Sequence, residues 1–313
     1  MGITNRLLEF LVICASSSQT NIFGKMDYTC TLTLGRQYCL FDNTDLSRVL
    51  CDAKLDVNNS VDDLWQLIKK TPLKNNLSAD AQKYCEPLFE FLGAKTVDSI
   101  DISDYENATI IADITKEIPK QYLNKYTAVI DGGLLEHVFD YPQALKNAMC
   151  MVKEGGHLLM YTPGNNTFGH GFYQFSAELF YSVLREDNGF SNTSVFCYWK
   201  GKWYRISNPR ELHKRTDYSP TGRMMLFVVS KKIGEVPEHL SAYQSDYETI
   251  WDEYSGKQTF TGESAYRNSQ KTTSMMKKIY KSVVPRQLRA WLKIGHWLEK
   301  ISLPKDIFVP VKF

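Results

Sequence analysis

Two histidines and a row of acids, glycines and amides are the residues of this chain best suited to chemistry. They come in short groups, each directly after an apolar, β-rich stretch. Gly35, Arg36 and Gln37 follow the first such stretch, and Asp101, Ile102 and Ser103 the second. Asp113 and Ile114 follow the third, and Asp131-Gly132-Gly133 through Glu136 and His137 the fourth. The fifth leads into Thr162 to Asn166 and the run Gly169-His170-Gly171-Phe172-Tyr173-Gln174-Phe175. A carboxylate ending a strand suits the two hydroxyls of a ribose, because it can accept both protons. That role falls to Asp101. Asp113 is placed to accept from an adenine amino group, and Gly132 lets backbone approach a ligand closely. His137 and His170 have near-neutral reference pKa values and suit removal of a hydroxyl proton. Asn166, Phe172, Tyr173 and Gln174 would form a substrate wall. Each residue also has a plainer reading: acids cap helices, Asn165 and Asn166 form turns, aromatics fill cores, and His137 starts a helix.

The spacing of apolar residues says what must position these groups. Tyr28–Leu34, Thr96–Asp101, Ala108–Asp113, Thr127–Asp131 and His157–Tyr161 read as strands. Val61, Leu64, Trp65 and Ile68 mark a helix, and Ser78 is expected to cap another that ends at Gly93. Short helices are expected at 119–125 and 143–151, and Gly155-Gly156 reads as a turn. Ser176 is expected to cap a further helix that ends at Gly189. Alternating strands and helices with largely apolar strands imply a mostly parallel sheet covered on both faces. Ser194–Tyr198 and Met224–Ser230, joined without a helix, suggest an antiparallel pair at one edge. In such a sheet a ligand binds outside the carboxyl ends of the strands, where the groups above are found.

Composition sets the outer limits. The chain has 313 residues, 43% hydrophobic and 23% charged, with a formal net charge of +2. That allows a large core and gives no global basic field, so no nucleic-acid partner is expected. Seven cysteines without C-x-x-C spacing argue against a disulfide framework and for a reducing, cytoplasmic setting. The six histidines show no H-x-x-x-H spacing, so no metal site is expected. Leu7–Ala15 faintly resembles a signal peptide, but Glu9 interrupts it and no A-x-A site follows, so it reads as a docking helix. No run approaches the ~18 apolar residues of a membrane span.

Taken together, four stretches resemble the class I S-adenosylmethionine-dependent methyltransferases, in particular methyltransferase type 11. They are Val97-Asp-Ser-Ile-Asp-Ile-Ser103, Ile110-Ile-Ala-Asp113, Val129-Ile-Asp-Gly-Gly-Leu-Leu-Glu-His-Val138 and Val152-Lys-Glu-Gly-Gly-His-Leu-Leu159. The run from Gly169 to Phe175 is similar to a smaller bacterial group found beside surface-polysaccharide genes. The resemblance implies a Rossmann-like α/β fold over residues 28–232. It would have a mostly parallel seven-stranded sheet with an antiparallel edge pair, a helical segment at 1–27 and a C-terminal helical extension at 233–313. It implies S-adenosylmethionine as cofactor, held by Gly35, Asp101, Ile102, Asp113, Ile114, Asp131 and Gly132. His137 and His170 would serve a hydroxyl of a small or carbohydrate-like acceptor. One motif departs from the family. Where acid-x-Gly-x-Gly-x-Gly is usual, Leu34-Gly-Arg-Gln-Tyr38 keeps one glycine. That departure supports the alternative of a non-catalytic methyltransferase-like binding protein in a polysaccharide-assembly or other complex.

Residues 271–300 carry eight Lys and Arg against Glu299, with apolar residues at helical spacing and a break at Pro285. They are expected to pack as amphipathic helices on the domain. Peripheral contact with an anionic inner membrane surface is the competing reading.

Overall fold

The computed structural model describes residues 2–16, 24–53, 61–70, 83–212, 215–216, 218, 222–254 and 303–313. The chain opens with strand β1 (Gly2–Thr4) and helix α1 (Asn5–Ala15), followed by β2 (Cys30–Leu34) and β3 (Tyr38–Leu40). Helices α2 (Asn43–Asp52), α3 (Val61–Lys70) and α4 (Glu86–Phe91) lead to β4 (Thr96–Asp101), β5 (Ile110–Ile111) and β6 (Tyr126–Asp131). Then come α5 (Tyr141–Met151), β7 (Val152–Asn165), α6 (Ala177–Val183), β8 (Phe190–Trp199) and β9 (Lys202–Ile206). The remaining described elements are α7 (Pro209–Leu212), β10 (Met224–Lys232), α8 (Ser245–Tyr254) and β11 (Phe308–Val311).

Among the described residues, nine strands form one mixed sheet in the order β11-β9-β8-β10-β7-β6-β2-β4-β5. From β5 to β7 neighbours are parallel, and from β7 to β11 they are antiparallel. Strands β6, β7 and β10 are apolar at successive positions because each face of the sheet has its own core. Val129, Leu158, Met160 and Val228 point to one face, where α5 and α6 contribute Leu145, Met149 and Phe180. Their neighbours Ala128, Ile130, Leu159, Phe227 and Val229 point to the other, against residues of α1 to α4. Period-two side-chain direction thus divides a continuous apolar run between two cores.

Helix α1 is the docking helix expected from the sequence. Thr4 caps it by accepting from Leu7 N–H, and eight of its residues are buried. Glu9 does not interrupt the apolar packing. It pairs with Arg6 and accepts the indole N–H of Trp203 at 2.7 Å. Phe10 packs between Phe196, Trp203 and Phe227, with ring centroids 5.3–5.7 Å apart.

Several expectations are corrected. Among the described residues the sheet has nine strands, not seven, and the antiparallel part is not a pair at the rim. β10 inserts between β7 and β8, and β9 and β11 extend the sheet further. Gly155-Gly156 lies inside the 14-residue β7 rather than before it. A Cβ on Gly156 would stand 2.7 Å from Thr127 O, so the residue serves close strand approach. The strand expected at 108–113 is only Ile110–Ile111, and the helix at 119–125 is one 3-10 turn, Lys120–Tyr122. The helix after Ser176, whose side chain makes no capping hydrogen bond, stops at Val183, and Gly189, at φ +79°, ends a separate turn, Glu186–Asn188. The described part of the region after residue 232 is not wholly helical, because Phe308–Val311 joins the sheet through β9. Ser78 and residues 271–300 lie outside the described residues.

Candidate active site

The carboxyl ends of β4, β5 and β6 open onto a cleft of about 440 Å³. It is lined by Asp101 and Ile102 from β4, Asp113 and Ile114 after β5, and Leu134 and His137 to Asp140 after β6. β4 places Asp101 because Ile100 pairs with Ile110 and Asp101 with Ile111, which brings the two strand ends level. Asp101 O accepts from Ala112 N–H at 2.8 Å, fixing the second loop against the first. The Asp101 carboxylate makes one weak bond, to Ser103 N–H at 3.3 Å. Asp113 is more committed. Its Oδ1 accepts from both the N–H and the hydroxyl of Thr115, which hold its carboxyl below the usual range. Ile102 and Phe139 are largely exposed and give the cleft an apolar rim.

The loop after β6 turns on Asp131. This residue is fully buried, and its Oδ1 accepts from the N–H groups of Gly133, Leu134 and Leu135. Burial, and then the Glu136 carboxylate, push its pKa up against those three donors. Its other oxygen has no hydrogen-bond partner among the described residues. Asp131 therefore shapes the loop and does not line the cleft. The 3-10 turn Leu135–His137 then buries Glu136, at 1% exposure, and directs His137 to the cleft. Burial pushes the Glu136 carboxyl up. Burial and the neighbouring His170 hold the His137 imidazole below its ordinary range.

His170 reaches the same place from the loop after β7. Its Nε2 lies 3.5 Å from Glu136 Oε1, and its ring centroid 5.0 Å from that of His137. Thr167 holds the loop by donating its N–H and hydroxyl to Gln174 Oε1 at 2.9 and 2.8 Å. Phe172 N–H donates to Glu136 O at 2.7 Å. A Cβ on Gly171, at φ +68°, would stand 2.8 Å from that same oxygen, so only glycine lets the loop lie so close.

Not every expected residue joins the cleft. Asp101, Ile102, Asp113, Ile114 and His137 line it, and His170 borders it through His137. Gly35 and Gly132 do not line it. The loop after β2 is filled instead. Gln37, 2% exposed, donates to Leu34 O at 2.7 Å, and its Oε1 lies where a Cβ on Gly132 would come within 2.3 Å. Arg36 is clipped to Glu86 and Glu106 O and lies over the Tyr84 ring. Among the substrate candidates, Gln174 is used by Thr167. Asn166, at φ +55°, donates to Gly222 O as a turn former. Tyr173 donates to Phe139 O at 2.6 Å, and Phe172 stacks edge-on with Phe139 at 6.0 Å, so these two do extend the aromatic rim. From the sequence, Glu136 is named only as part of the segment after the fourth strand, without a role of its own, and Phe139 is not named.

No family model and no curated protein matches the chain. Solved structures give slight likenesses. A 1,6-didemethyltoxoflavin-N1-methyltransferase from Burkholderia thailandensis is 12% identical over 47% of this chain and 65% of that one, with a TM-score of 0.30. The CurJ carbon methyltransferase is 14% identical over 44% and 42%, with a TM-score of 0.31. The trans-methyltransferase CalH, in complex with SAH, is 11% identical over 73% and 58%, with a TM-score of 0.34. The chain spans less than two thirds of the length of each. Likenesses this slight carry no argument about this chain, whose reading rests on its own strand order and cleft.

Proposed function

We propose that this protein is an S-adenosylmethionine-dependent methyltransferase of the class I, type 11 kind. Its acceptor would be a hydroxyl of a small or carbohydrate-like molecule, as in a surface-polysaccharide setting. The observation that supports this is the cleft at the carboxyl ends of β4 to β6, with Asp101 at its ribose position and Asp113 beside it. Its volume suits a nucleoside, and its rim is apolar enough to take a purine face. Bound cofactor supplies a methyl group already activated on a sulfonium. The protein's task is then to hold an acceptor oxygen in line with it, which contributes on the order of 7–11 kcal/mol. Asp101 grips the ribose hydroxyls, Asp113 and the Ile102–Phe139 rim seat the base, and Phe172 and Tyr173 wall the acceptor side. His137 and His170 stand where the acceptor enters and handle its proton.

The nucleoside half fits the residues present. For the amino-acid half, the family's glycine-backed space holds Gln37. Gln37 Oε1 and Asp131 Oδ2 are buried and make no hydrogen bond among the described residues, and neither residue lines the cleft. The same filled loop favours the second reading, a non-catalytic binding protein. Calorimetric titration separates the two. Micromolar binding of S-adenosylmethionine and S-adenosylhomocysteine, weakened about tenfold (~1.4 kcal/mol) by Asp101→Ala, is the expected outcome. Absence of binding at millimolar cofactor would leave the second reading standing.

A further inference from the structure

We infer that Glu136, His137 and His170 form a binding site for one divalent transition-metal ion of the zinc class. The inference stands apart from the methyltransferase reading, because it needs neither cofactor nor methyl transfer.

One ligand atom from each of the three residues lies within 4.8 Å of the others. Around a tetrahedral zinc ion with bonds of about 2.0–2.1 Å, ligand atoms stand about 3.4 Å apart. Glu136 Oε1 and His170 Nε2 are already at 3.5 Å, and small rotations of two imidazoles would bring in the third. The donor set, two imidazoles and one carboxylate, suits zinc, cobalt, nickel or iron, and not magnesium or calcium, which take oxygen cages. Three protein ligands leave a coordination position open, as in catalytic rather than structural zinc sites. His137 also lines the cleft, so the open position borders it and would take water or an acceptor oxygen.

The surroundings are built as a metal site requires. Glu136 is a nearly fully buried carboxylate whose only ion pair among the described residues is His170, and its Oε2 has no hydrogen-bond partner of ordinary geometry. Burying an acid is costly to the fold, and contacts with its own backbone and with the Thr162 side chain offset only part of that cost. A cation at this point would offset that cost. The loop that carries His170 is held in place by its backbone: the His170 main-chain N–H donates to Thr167 O, Thr167 is fixed by Gln174, and the Phe172 main-chain N–H donates to Glu136 O. Both imidazoles are exposed, so an ion can enter. With an ion bound, the two histidines act as ligands.

The test uses the full-length chain, stripped with a chelator, dialysed and titrated with cobalt(II) and then zinc(II), without any nucleoside. One equivalent of cobalt should bind with a visible ligand-field band that zinc abolishes. Glu136→Gln, His137→Ala and His170→Ala should each weaken zinc binding roughly tenfold or more, while His239→Ala, on an exposed histidine elsewhere, should leave it unchanged. His170 sits on an exposed loop, so its variant carries the test if Glu136→Gln does not fold. Failure of the full chain to bind zinc at micromolar concentration would overturn the proposal. So would binding that survives both histidine variants. Neither result bears on S-adenosylmethionine binding, which the titrations with Asp101→Ala address separately.

Discussion

At the scale of single residues, the site depends on a few backbone-dictated identities. Gly171 is one. An alanine there would be forced into a left-handed conformation and against Glu136 O. Gly171→Ala is expected to cost about 1–3 kcal/mol of stability in urea unfolding and to lift His170 off Glu136. Asp98 gives a pH prediction far from the site. Burial pushes its pKa up, but Lys125, Tyr126 and Thr109 outweigh that, so the net displacement is downward. A carboxyl held below its unfolded value of about 3.9 stabilises the fold fully above that pH. The contribution disappears as pH falls through the lower, folded value. Asp98→Asn should therefore lose on the order of 1 kcal/mol at pH 7. Unfolding curves of variant and parent should converge once the pH falls below that lowered, folded value.

At the scale of elements, α1 is the part whose docking the sheet most depends on. Its apolar residues cover the face formed by Phe196, Trp203 and Phe227, and Glu9 satisfies the Trp203 indole at the rim of that contact. Phe10→Ala removes a fully buried ring at the centre and should cost roughly 3–5 kcal/mol, read by denaturant unfolding. A Glu9→Gln change keeps an acceptor for Trp203, so it should cost much less than Glu9→Leu. The paired loops after β6 and β7 form the other decisive element. One buries Glu136 and exposes His137, and the other lays His170 over them through two glycines.

At the scale of the whole molecule, the sheet runs without a break from the cleft at β4 and β5 to β11 at the far edge. β11 is part of the core as well as the edge. Phe308 is buried, and Phe313 packs against Phe10, Phe196 and Trp203. Deleting residues 303–313 would bare one side of β9 and the Trp203 cluster. The expected result is a lower melting temperature and concentration-dependent self-association on size-exclusion chromatography, since an open strand edge invites pairing. No helix among the described residues is long and apolar enough to cross a membrane.

The parallel half of the sheet and the cleft lip were legible in the sequence, because β2, β4, β6 and β7 follow local apolar patterns and their terminal acids follow from strand ends. Asp101 and Asp113 were placed at the cleft in this way. The position of β10 was not legible, since its apolar pattern suits an edge or an interior place alike and the choice is made by pairing with β7. β9 and β11 were missed because short, aromatic or Pro-containing strands carry little periodicity of their own. Histidine spacing in the sequence argued against a metal site, whereas two loops 33 residues apart bring His137 and His170 together over Glu136. The sequence alone determined the alternation of strands and helices and which residues end the strands, because those are matters of local period and turn chemistry. Only the tertiary structure decided that Gln37 fills the first loop and that Glu136 is buried between two imidazoles. Those are long-range packing outcomes that no local window contains.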